Sequence, residues 1–141
     1  MKSKQVIILR KDLNMRKGKM VAQGSHASMK VILDLMKSEM LMTSTSDYYA
    51  DEVEVRTLSL PNESALKDWI NGIFTKVCVS VDSEEELIGI YETAKSMGIP
   101  CSMIVDAGLT EFGGVPTKTA VAIGPDWEGK INEVTGHLKL L

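Results

Sequence analysis

The chain has 141 residues, of which 44% are hydrophobic and 25% are charged, and only 15 are glycine or proline. This size and balance are typical of one globular domain and exclude a disordered or collagen-like chain. The net charge of −3 is unevenly distributed, because residues 1–30 carry +7 and residues 31–141 carry −10. The basic segment predicts an anionic partner, although a solvated basic surface is the simpler alternative.

The beginning of the chain and its two cysteines indicate the compartment. Residues 1–12 contain only a short apolar stretch without a small-residue cleavage site, and no apolar run approaches about 18 residues. Cys78 and Cys101 belong to no C-x-x-C motif and lie in apolar segments. We therefore expect one cytoplasmic domain over residues 1–141, outside the membrane, with two reduced and buried thiols.

Taken in chain order, the predicted elements begin with a β-branched strand at Gln5–Leu9. A first helix is predicted from about Gly18 to Lys37, where apolar residues recur at helical spacing without a proline. The segment from Met40 to Leu60 is undecided: its composition fits a loop or excursion with a short strand around Val53 to Leu58.

The middle of the chain predicts another helix and strand. The helix begins after Pro61 with Asn62 as its N-cap and ends near Phe74. The apolar and alternating segment Lys76–Val81 then predicts a strand.

The remaining elements complete an alternating order. Ser83 and Glu86 form a capping box that opens a third helix. Strands are predicted at Cys101–Val105 and Ala120–Ile123, and Asp126 caps a last helix. Strands that alternate with helices predict an α/β domain layered around one sheet.

The start of the first helix departs from the usual charge pattern. A helix N-terminus carries partial positive charge and favours acidic residues, yet Arg16, Lys17 and Lys19 lie there, and no acidic residue follows them until Asp34. Cations beside free N–H groups predict an anion site, and phosphate is the natural candidate. The phosphate-binding pattern G-x-x-x-x-G-K-[ST] is absent, which argues against a nucleotide-hydrolysing loop.

The same helix carries a narrow polar stripe. At about 100° per residue, Lys19, Gln23, His26 and Lys30 share one face that is mostly bordered by apolar positions. Such a stripe is typical of a helix that borders a cleft. Taken alone, His26 is more simply explained as a surface or half-buried imidazole. Only its alignment with Lys19 supports a functional role for it.

A second polar concentration follows the predicted strand Cys101–Val105. Asp106 lies where that strand ends, and α/β folds present ligand-binding groups at such positions. Thr110, Thr117 and Thr119 add hydroxyl groups, although each is also compatible with a turn-capping role. The sequence contains no metal-ligand spacing and no serine or cysteine nucleophile motif, so we expect no metal.

Four separated blocks of the chain resemble the peptidyl-tRNA hydrolase 2 family. They are residues 10–28 (RKDLNMRKGKMVAQGSHAS), 104–112 (IVDAGLTEF), 119–125 (TAVAIGP) and 134–141 (VTGHLKLL). The resemblance implies a cytoplasmic hydrolase that cleaves the ester joining a peptide to the 3′ end of tRNA. It further implies a three-layer α/β/α sandwich with a four-stranded mixed sheet, a homodimer and no cofactor.

The resemblance and the basic cluster together define two sets of candidate site residues. The catalytic candidates are Lys19, His26, Asp106 and Thr110. The substrate-binding candidates are Arg16, Lys17, Gln23, Thr117 and Thr119. Ester hydrolysis requires an oriented water, a stabilised oxyanion and a protonated leaving oxygen. Lys19 supplies positive charge for the oxyanion or the phosphates, while Asp106 orients water or holds Lys19 or His26; acting as a base would require burial to raise its pKa.

Two other functions are compatible with the sequence. One is a noncatalytic RNA-binding or adaptor domain on the same scaffold, and the other is a hydrolase of a different small ester or amide. A binding module would need the basic surface but not Lys19, Asp106 and Thr110 together, which disfavours the adaptor. The long segment 40–60 stays without an assigned role.

Overall fold

The computed structural model describes residues 1–46 and 49–141. In chain order its elements are β1 (Ser3–Arg10), α1 (Lys17–Leu35), β2 (Lys37–Ser46), β3 (Tyr49–Thr57), α2 (Ala65–Asn71), β4 (Lys76–Val81), α3 (Glu84–Ser96), β5 (Cys101–Asp106), β6 (Thr117–Trp127), α4 (Glu128–Thr135) and β7 (Lys139–Leu140). One turn of 3-10 helix, Lys11–Leu13, separates β1 from α1.

The central sheet is mixed and has the strand order β5-β6-β1-β4-β7. Strands β1 and β4 run parallel, whereas the other neighbouring pairs are antiparallel. The predicted mixed sheet is confirmed, but it has five strands instead of four. The additional strand β7 has two residues, with Leu140 paired to Val79, and so short a strand has too few residues to show a periodic pattern.

Helices cover both faces of the sheet, which confirms the three-layer architecture. Alternate residues of β1 point to opposite faces. Val6 and Ile8 pack in one apolar cluster with α3 and α4, while Leu9 packs in a second cluster with Ala27 and Val31 of α1. The alternation in β1 thus separates two cores, one on each side of the sheet.

Helix α1 is fixed on the sheet by buried polar contacts as well as apolar packing. The Ser102 hydroxyl donates to the carbonyl of Ala27 over 2.7 Å, and Gln5 Nε2 donates to the carbonyl of Ser28 over 3.4 Å. Buried hydrogen-bond partners have little freedom to shift, since an unsatisfied buried group costs about 1–3 kcal/mol. The N-terminal turn of α1 therefore lies at a defined position beside the end of β5.

The cap of α2 differs from the prediction. The side chain of Ser64, and not Asn62, accepts the hydrogen bond from Lys67 N over 3.1 Å. The helix spans Ala65–Asn71 and stops before Gly72, so it ends earlier than the predicted Phe74. Both serine and asparagine are good N-caps, and sequence alone does not distinguish neighbouring candidates.

The other two predicted caps have different outcomes. Ser83 caps α3 as predicted, because its hydroxyl accepts from Glu86 N over 3.1 Å. The residue at the N-cap of α4 is Trp127 instead of Asp126. Asp126 still belongs to β6, where its carboxylate accepts from the backbone N–H of Trp127 over 2.7 Å.

Most of the undecided segment forms two antiparallel strands, while its residues 47 and 48 lie outside the described residues. Strands β2 and β3 pair antiparallel, with Lys37 opposite Thr57 at the base, and they form a separate two-stranded sheet. The short strand expected around residues 53–58 overlaps β3. Helix α1 ends at Leu35, before the predicted Lys37, because β2 begins there.

The two cysteines are free thiols, but the prediction that both are buried is wrong. Cys78 is exposed, whereas Cys101 is half-buried and its burial raises the pKa of its thiol. Cys78 belongs to β4, on the sheet face that α1 and α2 leave partly open. Among the described helices, none is long and apolar enough to cross a membrane.

Candidate active site

An ion pair joins the first turn of α1 to the end of β5. Lys19 Nζ lies 2.9 Å from Asp106 Oδ1, and each side chain is only 15% exposed. The helix supplies the cation and the last residue of the strand supplies the carboxylate. The contact brings together the polar stripe of α1 and the polar residues that follow β5, the two polar concentrations found in the sequence.

The loop after β5 completes the surroundings of the Lys19 ammonium. Lys19 Nζ also donates to Thr110 Oγ1 over 2.9 Å, and it lies 5.7 Å from the centre of the Phe112 ring. The aromatic face attracts the ammonium and excludes water from one side of it. Lys19 is thus held by a carboxylate, a hydroxyl and a ring.

A buried amide links Asp106 to the neighbouring strand β6. Gln23 Nε2 donates to Asp106 Oδ1 over 3.3 Å, while Gln23 Oε1 accepts a short hydrogen bond from the hydroxyl of Thr119. Gln23 and Thr119 are both buried. Because the hydroxyl occupies the oxygen end of the amide, the amino end faces Asp106. Thr119 therefore fixes the orientation of Gln23, and Gln23 in turn contacts Asp106.

Hydrogen bonds keep the Asp106 carboxylate ionised. The bond from the Lys19 ammonium holds the pKa of Asp106 below its usual range, and the Gly108 N–H lowers it further, against the opposing effect of burial. A carboxylate that binds its proton so weakly is a poor base at neutral pH. The geometry thus favours positioning by Asp106 over proton removal.

The contact from Gly108 depends on a turn that glycine alone tolerates. Gly108 N donates to Asp106 Oδ2 over 2.9 Å, as in an Asx turn. Its φ is +82°, and a Cβ at this position would lie 2.2 Å from the carbonyl oxygen of Val115. The D-x-G pattern of Asp106 and Gly108 is the sequence signal for this contact.

The model of the family described as peptidyl-tRNA hydrolase PTH2 matches residues 3–141 of this chain. The chain belongs to that family. The match confirms the resemblance seen in the sequence blocks, and it includes the helix that carries Lys19 and the strand that carries Asp106.

Archaeal members of the family are similar over nearly their whole length. The peptidyl-tRNA hydrolase of Methanocaldococcus jannaschii is 44% identical over 138 residues, covering 98% of this chain and 99% of the relative. Those of Methanococcus maripaludis strain C6 and Thermococcus onnurineus are 39% and 34% identical, with coverage of 97% and 98% of this chain and 97% of each relative.

One solved structure shares the fold at low sequence identity. It is a protein of unknown function from Agrobacterium tumefaciens strain C58, with a TM-score of 0.53 and 12% identity. The match covers 100% of this chain and 98% of the other. At this identity the likeness shows the fold alone.

Of the predicted site residues of this family member, neither His26 nor Thr117 joins the Lys19–Asp106 cluster. His26 is exposed on α1, and among the described residues it makes no hydrogen bond. The hydroxyl of Thr117 donates to the carbonyl of Val115 over 2.8 Å, within its own loop. The imidazole of His26 is thus open to solvent, whereas Thr117 stabilises the turn that precedes β6.

Glu111 anchors Arg16 at the cationic start of α1, and no pattern in the sequence singled it out. Glu111 Oε2 accepts from the backbone N–H of Arg16 over 3.4 Å, and its carboxylate lies 3.9 Å from Arg16 Nε. Glu111 thus ties the loop after β5 to the start of α1. The Arg16 side chain is still 91% exposed, and Lys17 is exposed beside it. The separation of 95 positions between Arg16 and Glu111 hides this contact from any local pattern.

The hydrogen-bond chain from Thr119 through Gln23 to Asp106 predicts a measurable dependence on one hydroxyl. Thr119→Val keeps the shape but leaves Gln23 Oε1 buried without its donor, so the free energy of unfolding should fall by about 1–3 kcal/mol. Chemical denaturation measures that loss, and the rate of substrate cleavage should fall with it. Thr119→Ser restores the hydroxyl and should recover both; equal behaviour of the two variants would contradict the role.

Proposed function

We propose that this protein is a peptidyl-tRNA hydrolase. It cleaves the ester between a peptide, or an N-blocked aminoacyl group, and the 3′ end of tRNA, and it releases free tRNA. The observation that carries the proposal is the half-buried ion pair of Lys19 and Asp106 with Thr110 beside it, in a chain of this hydrolase family. Charge at such a site acts strongly, because little water screens it.

Lys19 stabilises the negative charge that develops on the carbonyl oxygen. An ammonium has three N–H donors, and two are engaged by Asp106 and Thr110. The third remains for the oxyanion of the tetrahedral intermediate or for a terminal phosphate. The Thr110 hydroxyl, which accepts from Lys19, keeps its own proton for donation to the substrate.

Asp106 orients the attacking water. Within the described part of the chain, Oδ1 accepts from Lys19 and Gln23, whereas Oδ2 accepts only from Gly108 N. A carboxylate oxygen has two acceptor directions, so Oδ2 can bind one hydrogen of a water. The attacking oxygen joins the carbonyl carbon, the bond to the ribose oxygen breaks, and a proton from the water ends on that ribose oxygen.

His26 is the candidate for moving this proton. Its imidazole is exposed on the helix face that carries Lys19 and Gln23, where a bound substrate can contact it. An imidazole can accept a proton from water at one moment and return it to the leaving oxygen at another. His26 thus completes the catalytic set of Lys19, Asp106 and Thr110.

Substrate binding is assigned to the cationic start of α1 and to the polar groups behind it. Arg16 and Lys17 attract the phosphates of the tRNA end. Gln23, Thr117 and Thr119 support the binding surface, with Gln23 holding the carboxylate of Asp106 in place. We also propose that the protein acts in the cytoplasm as a homodimer, one domain per chain over residues 1–141, and needs no cofactor or metal.

The basic cluster can be tested by salt dependence. Arg16→Ala with Lys17→Ala should weaken tRNA binding and flatten the plot of log affinity against log salt, by about 0.7 for each single-strand phosphate that is no longer neutralised. Fluorescence anisotropy at several salt concentrations measures both. Lys95→Ala with Lys130→Ala removes equal charge from α3 and α4 and should change little. An unchanged slope in the first variant would refute the assignment.

The proposed activity has a direct assay. Purified protein is incubated with an N-blocked aminoacyl-tRNA, and the release of free tRNA is followed. Release at catalytic enzyme concentration is the expected result. Tight tRNA binding without release would instead support the noncatalytic adaptor, while cleavage of small esters but not of the tRNA substrate would support a different hydrolase.

A further inference from the structure

Phe112 belongs both to the apolar core and to the surroundings of Lys19. It lies in the loop between β5 and β6, and its half-buried side chain packs against the apolar cluster that includes Leu9 and Met15. The centre of its ring lies 5.7 Å from Lys19 Nζ. A ring packed against the core has little freedom to move, so it offers the ammonium a fixed partner.

A tight turn fixes the backbone of Phe112 within this loop. Val115 N donates to the carbonyl of Phe112 over 3.0 Å, and the two residues between them, Gly113 and Gly114, have φ values of +59° and +80°. Positive φ at both central positions is the geometry of a type I′ turn. Gly114 N also donates to the carbonyl of Gly108 over 2.7 Å. The loop is thus held together by its own backbone, and Phe112 has a defined place in it.

The ring attracts the Lys19 ammonium without taking an N–H donor, as an oxygen acceptor would. The face of an aromatic ring carries partial negative charge and attracts a cation within about 6 Å of its centre. The Lys19 side chain is only 15% exposed, so little water weakens this attraction. Asp106 and Thr110 accept two of the three N–H donors. A water molecule in place of the ring could accept the third, which the proposed reaction uses for the oxyanion.

A second lysine–phenylalanine contact shows what is particular to Phe112. Lys76 Nζ lies 4.8 Å from the centre of the Phe74 ring, closer than Lys19 lies to Phe112. Lys76 and Phe74 are both exposed at the start of β4, where water weakens the attraction. The ammonium beside Phe112 is instead half-buried and paired with Asp106. The same type of contact is therefore stronger at the cleft.

We propose that Phe112 is a positioning residue for the hydrolysis. Its ring holds the Lys19 ammonium beside Asp106 and keeps water from the N–H donor that meets the oxyanion. The inference rests on the proposed function, in which Lys19 stabilises this charge. It gives the ring an effect on the reaction rate in addition to its packing against the core.

Removing the ring tests this role. Phe112→Leu keeps an apolar side chain against the core, and circular dichroism verifies the fold. The maximal single-turnover rate should fall about 3- to 30-fold, the range that a cation–π contact supports. Affinity for tRNA should stay the same, because the ammonium charge remains. An unchanged maximal rate overturns the proposal.

The second contact supplies the matched control. Phe74→Leu also removes a phenylalanine ring from a lysine ammonium, that of Lys76. This pair lies outside the Lys19–Asp106 cluster, so the single-turnover rate should stay that of the unmodified protein. A rate that falls as much as in Phe112→Leu would show a general effect of lost aromatic packing and would overturn the proposal.

Graded fluorination separates the charge of the ring face from its shape. The chain has two phenylalanines, so a fluorinated phenylalanine supplied during expression of the Phe74→Leu protein enters at position 112 alone. Mono-, di- and trifluorophenylalanine withdraw electron density from the ring face in steps but change its size little. The logarithm of the single-turnover rate should fall with each added fluorine. Equal rates throughout the series would show that Phe112 only fills space, which overturns the proposal.

A double variant tests whether the ring acts through the ammonium. In the Lys19→Met protein there is no ammonium to hold, so adding Phe112→Leu should slow cleavage no further. If Phe112→Leu slows the Lys19→Met protein by the same factor as it slows the unmodified protein, the ring acts by another route and the proposal is overturned.

Proton exchange gives a readout that does not depend on cleavage. In protein labelled with ¹⁵N-lysine, the ammonium signal of Lys19 is identified by its loss in Lys19→Met. Its protons should exchange with water faster in Phe112→Leu than in the unmodified protein. Unchanged exchange with normal tRNA release overturns the role of Phe112 alone. An unmodified protein that releases no tRNA overturns the proposed function, and the role of Phe112 in the reaction with it.

Discussion

Asp106→Asn should slow single-turnover cleavage of an N-blocked aminoacyl-tRNA by about 10²–10³-fold, the usual cost of removing one preorganised polar contact from the transition state. The substitution keeps the size of the side chain but removes the charge that holds Lys19 and orients water. Affinity for tRNA should hold or rise, because one negative charge near the phosphates is removed. Measuring the single-turnover rate at saturating enzyme concentration separates the chemical step from substrate binding.

The chain offers a matched control for this experiment. Lys30 and Asp34 form another lysine–aspartate pair on α1, at 3.1 Å, but both side chains are largely exposed. Exposed pairs contribute little, so Asp34→Asn should leave the single-turnover rate unchanged. If Asp106→Asn reacts as fast as the unmodified protein, Asp106 is structural, and catalysis would have to depend on Lys19 and His26.

Lys19→Met should impair both chemistry and binding. Methionine keeps the apolar packing against Phe112 but removes the ammonium, so the rate should fall by about 10²–10³-fold, as when one oxyanion donor is removed. Affinity for tRNA should fall as well, since the charge also attracts phosphate. Thr110→Val should slow cleavage less than Asp106→Asn or Lys19→Met does, because only a neutral hydrogen bond is removed.

The split between rate and affinity decides the role of Lys19. Single-turnover rates at several enzyme concentrations give the maximal rate and the half-saturating concentration separately. A change confined to the half-saturating concentration would show that Lys19 only binds phosphate. Lys30→Met is the control, because its exposed ammonium lies outside the cleft.

The members of the Lys19–Asp106 cluster could be predicted from the sequence because they follow local rules. Helical periodicity places Lys19 and Gln23 on one face, and strand length places Asp106 at the end of β5. The family resemblance adds that these separated segments meet. The layers of the fold follow from the alternation of β1, whose odd and even residues face different helices.

Features that depend on distant contacts could not be predicted. The exposure of Cys78 depends on how α1 and α2 leave the sheet face open, and no local pattern records that gap. The contact of Glu111 with Arg16 joins segments far apart in the chain. Of the strands β2 and β3, only β3 could be predicted in part, because Val53 and Val55 alternate with charged residues, whereas β2 has three consecutive apolar residues, 40–42, and no alternation.

The central claim is that Lys19 and Asp106 act as one catalytic unit. Single-turnover rates of Lys19→Met, Asp106→Asn and the double variant test it as a double-mutant cycle. If the pair works together, the double variant should be about as slow as the slower single variant, because either change already disables the unit. Rate reductions that multiply in the double variant would show two independent groups and contradict the account.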